Sequence, residues 1–275
     1  MLSYILYELR SRRSSILGWG AGVGFFVLMY SVFYPSLPAE MLELDFDEIQ
    51  LYQALGQFEM RSFEGYFGST ILGFMALLVI MYAVTHGTGT LAGEEENGTL
   101  ELMVTLPLHR WEIVLSKAIA MAISAFLILA IVAVAGMIAF VIISGQIEAT
   151  LTAGDLILPI FSALPIVLLF MMLSLFLSAF MPQRRFAIGV AAVAVLGSYF
   201  GNNLLPMAEG TETITRLLPF HYYERSPDVF TDGIQAGDVL VLLAIAGIFL
   251  LLAIGSFSQR NITTGIWFWR RGRVM

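Results

Sequence analysis

Charged side chains are missing from six stretches of the chain, residues 14–39, 65–93, 118–147, 156–183, 186–208 and 239–259, and the shortest of these is 21 residues long. A helix of about 20 apolar residues crosses the ~30 Å hydrocarbon layer of a bilayer. The pattern predicts an all-α, polytopic membrane protein with six transmembrane helices, at about 16–34, 66–91, 118–143, 156–181, 186–205 and 239–257, in one domain over 1–275. Ile16–Tyr34 follows Arg10, Arg12 and Arg13 as the apolar part of a signal peptide would, but it is 19 residues long and ends in Tyr34-Pro35-Ser36-Leu37-Pro38. That exceeds the roughly 7–15 residues of a signal core and offers no small-residue cleavage site, so it reads as a retained span. Before it, Leu2, Ile5, Leu6 and Leu9 recur at helical spacing opposite Glu8, Arg10, Arg12 and Arg13. This predicts an N-terminal amphipathic helix lying in the membrane interface.

Composition agrees: 58% of residues are hydrophobic, 13% are charged and mean hydropathy is +0.83, whereas soluble domains carry roughly 25% charged residues. A soluble enzyme, a disordered chain and a nucleic-acid-binding domain are excluded. With 0 cysteines there is no disulfide, thiolate metal site or cysteine nucleophile. The charges that remain are sided. The N-terminus, the 94–117 connection, the Gln183-Arg184-Arg185 turn and the C-terminal tail hold eleven of the 14 Lys and Arg residues; the opposite segments hold only Arg61, Arg216 and Arg225. Basic residues stay on the cytoplasmic side, which predicts cytoplasmic N- and C-termini in the cell membrane. The segment 35–65 is acidic with interspersed Leu44, Phe46, Ile49, Leu51, Tyr52, Leu55 and Phe58, suggesting a short amphipathic helix. Pro219-Phe220-His221-Tyr222-Tyr223 and Trp267-Phe268-Trp269-Arg270-Arg271 suit a membrane–water boundary.

Candidate chemistry within the spans is sparse. Polar groups at membrane depth are His86, toward the cytoplasmic end of the second span, and Asn202 and Asn203, toward the outer end of the fifth. A lone histidine makes no proton relay and is expected to satisfy a neighbouring backbone carbonyl. His86, His109 and His221 fall on separate segments, and no H-E-x-x-H occurs, so neither a metal site nor catalytic residues are predicted. The one lysine, Lys117, follows Ser116 rather than Gly, which excludes a Walker A loop. Any ATP used must be hydrolysed by another subunit.

The connection 93–117, GEEENGTLELMVTLPLHRWEIVLSK, departs from the short basic loop expected between spans. It carries Glu94, Glu95, Glu96, Glu101 and Glu112, five of the six acids on the predicted cytoplasmic side. Asn97-Gly98 signals a turn or helix C-cap. A second short helix from Thr99 would place Leu100, Met103 and Val104 on one face, with Glu101 and Thr105 on another, until Pro107 breaks it. Such a surface suits docking of a soluble partner.

The run Glu95-Glu96-Asn97-Gly98-Thr99-Leu100-Glu101, followed by Leu106-Pro107, Arg110 and Lys117, resembles the signature between spans two and three of ABC-2-type permeases, the membrane subunits of ATP-binding-cassette exporters. The Pro-Phe-x-Tyr-Tyr element before the last span extends the likeness. The resemblance implies that the connection is a cytoplasmic coupling helix seated in a cleft of a separate ABC ATPase subunit, which binds the ATP and magnesium. It implies Glu94, Glu95 and Glu96 as charged contacts, Gly98 as the turn and Pro107 as the break. Leu100, Met103 and Leu106 become the apolar contacts, with Thr99, Glu101 and Arg110 completing the motif. No cofactor of this chain's own is implied.

Six spans are half a usual translocation unit, so a second permease chain is expected, identical or homologous. Gly18, Gly20, Gly22 and Gly24 form two small-residue pairs suited to close helix approach, either with that chain or with a helix of the same chain. Uncharged spans facing membrane lipid suit an apolar or amphiphilic cargo. A six-span secondary carrier or channel-like protein is the alternative, and an intramembrane hydrolase a more distant one.

Overall fold

The computed structural model describes residues 1–38, 61–96, 98, 109–147, 151–181, 183–208, 210–223, 227–230 and 233–259. Regular structure among these is entirely helical. Six helices are long and apolar enough to cross a membrane. They are α1 (Leu2–Phe33), α2 (Phe63–Glu96), α3 (Arg110–Ile143), α4 (Ala153–Phe180), α5 (Arg184–Leu204) and α6 (Ala236–Gln259). The predicted amphipathic helix of the 35–65 segment falls on 39–60, outside the described residues.

The N-terminal segment departs from the sequence reading. It is no separate interfacial helix but the beginning of α1, which runs 32 residues without a break. At 1.5 Å per residue that is about 48 Å, well beyond the hydrocarbon layer. The reason is visible in its faces. Leu2 and Leu6 are 71% and 48% exposed while Glu8 is 3% exposed. Glu8 and Arg12 of the polar side have partners inside the protein and turn inward, while Arg10 and Arg13 remain exposed.

α2 and α4 form the centre of the bundle, with 72% and 67% of their most apolar windows buried, against 22% for α5 and 17% for α6. Close approach at the centre depends on Gly87: a Cβ there would lie 2.6 Å from the Ser174 Cβ of α4. α1 lies along α3, and the glycine ladder divides between its two sides. A Cβ on Gly20 would meet Ile131 of α3 at 2.7 Å and one on Gly24 would meet Ala135 at 3.1 Å, so this pair is an intrachain contact. Gly18 and Gly22 have nothing within 4 Å. They line a groove with Ser15, Trp19, Val23 and Leu78.

α2 is not uniformly α-helical. It carries a π-helical turn near each end, Phe67–Leu72 and Gly89–Gly93. At each turn a side chain of another element bonds to backbone groups of α2. At Phe67–Leu72 the partner is the segment that follows Leu218. Within it Phe220 and Tyr223 are buried in the bundle, while His221 is exposed and Tyr222 half-buried. Phe220 packs between Phe170 and Tyr199, and the Tyr223 hydroxyl donates to the Leu72 carbonyl at 3.1 Å.

Candidate functional site

The end of α2 and the starts of α1, α3 and α5 meet at one end of the bundle, ahead of the 97–108 segment. The turn is local chemistry. Gly98 adopts φ +69°, a conformation that costs glycine little, and its N–H donates to the Glu95 carbonyl at 3.0 Å. The predicted turn therefore exists, and α2 reaches Glu96 before it. Thr99, Leu100, Glu101, Met103, Leu106 and Pro107 lie outside the described residues, as does Asn97.

Behind the turn is a buried charge cluster. The ammonium of Lys117, two turns into α3, is fully buried between the carboxylates of Glu94 at 2.6 Å and Glu8 at 2.7 Å. The other Glu8 oxygen pairs with Arg12 at 3.2 Å, and Arg12 reaches the Thr90 hydroxyl at 3.5 Å. The Tyr4 ring lies 5.7 Å from the ammonium. Two cations thus face two carboxylates, and the cluster is neutral. Burying a single charge would be prohibitive, but a paired and hydrogen-bonded set is tolerated.

A second set of bonds covers the π-helical turn Gly89–Gly93. The Ser178 hydroxyl of α4 accepts from the N–H groups of Leu91 at 3.0 Å and Ala92 at 2.9 Å, and donates to the Thr88 carbonyl at 2.8 Å. Arg184 of α5 donates from its side chain to the Thr85 carbonyl at 3.0 Å and from its backbone to Glu96 at 2.9 Å. The guanidinium packs closely over Gly89, 3.2 Å from where a Cβ would be. His86 contacts the Tyr82 carbonyl through Nδ1 at 3.2 Å, as expected, and Ser15 of α1 through Nε2 at 2.7 Å. A carbonyl only accepts, so in the neutral imidazole Nδ1 carries the proton and Ser15 donates.

Glu94 and Glu96, expected as partner contacts, are thus bonded within the chain, to Lys117 and Arg184. Glu95 is partly buried beside them. Arg110, at the start of α3, donates to the Ser258 carbonyl of α6 at 3.3 Å. The partnership of Glu8 with Lys117 escaped the sequence reading. Two signals pointed to it: Glu8 is the one acid in a basic N-terminal segment, and Lys117 is the one lysine of the chain, set against an apolar span. No group of three or more His, Cys, Asp or Glu residues that could hold a metal occurs among the described residues.

These features define a multi-pass helical membrane protein whose polar chemistry is gathered at one end of the bundle, around the connection between its second and third spans. The chain belongs to the ABC-2 family of transporters: a family model described as ABC-2 family transporter protein matches residues 4–262. No curated protein sequence matches the chain. Membership makes it the permease subunit of an ABC transporter in the plasma membrane, with an ABC ATPase as its partner.

Proposed function

We propose that the chain is an exporter permease driven through the 94–107 elbow by a separate ATPase subunit, which holds the ATP and magnesium. In this reading the elbow end of the bundle faces the cytoplasm, in line with the eleven basic residues of that side. ATP-driven closure of the ATPase moves the elbow, and α2 and α3 follow because they are its two ends. A shift of a few kcal/mol between inward- and outward-open states is sufficient.

The observation that carries this reading is the continuity of α2 to Glu96, with Glu94 bonded to Lys117 of α3. Both arms of the elbow are tied to each other above the turn, so a push on the turn cannot be absorbed by the arms parting. A second permease chain completes the path. The open Gly18 and Gly22 side of α1 and the thinly packed α5 and α6 are the faces available to it. The cargo is an apolar or amphiphilic compound, in keeping with span interiors that carry no charge in their central turns.

The test reverses charge at two carboxylates of the elbow: Glu95→Lys together with Glu101→Lys. We expect the permease to insert normally while co-purification of the ATPase falls at least tenfold. Undiminished ATPase binding and transport would overturn the assignment.

A further inference from the structure

Lys117 holds two elements at once, and only one of them belongs to the elbow. Glu94 is at the end of α2, but Glu8 is on α1, 109 residues away in sequence from the lysine it contacts at 2.7 Å. Resting on the reading above, we propose that Lys117 is a positioning residue for coupling, which makes α1 a third rod driven by the ATPase. α1 has no covalent link to the elbow, so only noncovalent contacts can carry motion to it.

The contacts available are of two kinds. Along most of their length α1 and α3 meet through glycine and aliphatic side chains, such as Gly20 on Ile131 and Gly24 on Ala135. Packing of that kind holds helices together but resists sliding weakly, since each atom pair contributes only ~0.1–0.2 kcal/mol. The Glu8–Lys117–Glu94 contacts are directional, short and shielded from water, and lie near the ends of all three helices. Lys117 is seven residues beyond Arg110, about 10 Å of helix, so the joint is where displacement of the elbow is first felt. Buried ion pairs add little stability over apolar packing but fix register, which is the property a mechanical joint requires. Arg12 reaching Thr90 and Ser15 bonded to His86 repeat the same α1-to-α2 connection one and two turns further along α1.

The chain contains no cysteine, so spin labels can be placed without altering the background. Labels at Ser14→Cys on α1 and Trp111→Cys on α3, both exposed positions, report whether the two helices move as one. The experiment uses the permease–ATPase complex in lipid nanodiscs, with and without trapped ATP. In the native background we expect a single separation that does not change with nucleotide. The double substitution Glu8→Met with Arg12→Met removes one negative and one positive charge together and leaves the Lys117–Glu94 pair in place, so the fold and ATPase binding are retained. In it the label separation should become nucleotide-dependent, and transport per ATP hydrolysed should fall at least tenfold. A separation that stays fixed, or transport per ATP within twofold of native, overturns the role of Lys117 while leaving the ATPase assignment intact. Failure of the native chain to bind an ATPase overturns both.

Discussion

The two ends of α2 solve the same problem with different chemistry. Each has a π-helical turn whose backbone groups bond to a neighbouring element. At Phe67–Leu72 the help is one tyrosine hydroxyl within an aromatic mass: Tyr34, Phe63, Tyr66, Phe67, Phe140 and Phe230 are in successive ring contact. At Gly89–Gly93 the help comes from a serine making three bonds, an arginine seated over a glycine, and the neutral charge cluster beyond. Aromatic packing is worth much in total but little per contact and tolerates small rotations. Buried ion pairs and multiply bonded hydroxyls are few and directional, and losing one partner leaves another uncompensated. One end of α2 is therefore able to yield by repacking, and the other holds its geometry until a bond breaks.

The largest expected effect follows from breaking the rigid end at its centre. Lys117→Met leaves two carboxylates, Glu8 and Glu94, with Arg12 as their one remaining cation in a buried site, at a cost of about 3–5 kcal/mol. Thermal unfolding in nanodiscs should show a clear fall in midpoint. Adding Glu94→Gln should recover most of it, because Glu8 and Arg12 then remain as a neutral pair. If the double variant is no more stable than Lys117→Met alone, the cluster is not held by charge balance and the contrast between the two ends fails.

A smaller pair of substitutions sharpens the same contrast. Ser178→Ala orphans two N–H donors and a carbonyl acceptor in a buried turn, costing about 1–3 kcal/mol. Tyr223→Phe removes a single hydroxyl and keeps the ring, costing about 0.5–1.5 kcal/mol. Hydrogen exchange separates the two: Ser178→Ala should raise exchange around Leu91 and Ala92, whereas the 67–72 turn should change little in Tyr223→Phe. Equal exchange at both turns would show that the serine gives no special rigidity.

How much of this was legible in the sequence differs between the ends as well. The six spans could be read because charge is absent from them, and the turn at Gly98 because Asn-Gly sets a local conformation whatever surrounds it. The elbow site was found by its composition, but its internal wiring was not. A triple carboxylate reads as a surface for a partner, and only the packing of α2 against α3 shows that Glu94 faces a lysine. Glu8 read as the polar side of an interfacial helix for the same reason: periodicity shows that a face is polar, and tertiary structure decides whether solvent or protein answers it. Phe220 and Tyr223 show the same limit. Aromatic side chains mark the segment as apolar or amphipathic, and only the packing shows that these two rings are buried and that the Tyr223 hydroxyl meets the Leu72 carbonyl.

The smallest effect on the single chain is expected at Gly18, and its smallness is informative. Gly20 and Gly24 are filled against by α3, so a side chain at Gly20 would push on Ile131, and overpacking of this kind costs about 1–3 kcal/mol. Gly18, half a turn away, meets nothing within 4 Å. Gly18→Leu should therefore leave the melting of the dissociated permease unchanged to within about 0.5 kcal/mol. If the open side of α1 receives a second permease chain through close helix approach, the same substitution should shift the detergent-solubilised protein from dimer to monomer, as read by light scattering. A retained dimer would move the interface to another face, with α5 as the next surface to probe. Destabilisation of the lone chain would instead mean that the groove beside Gly18 closes on α2, and the glycine ladder would then serve the fold on both of its sides.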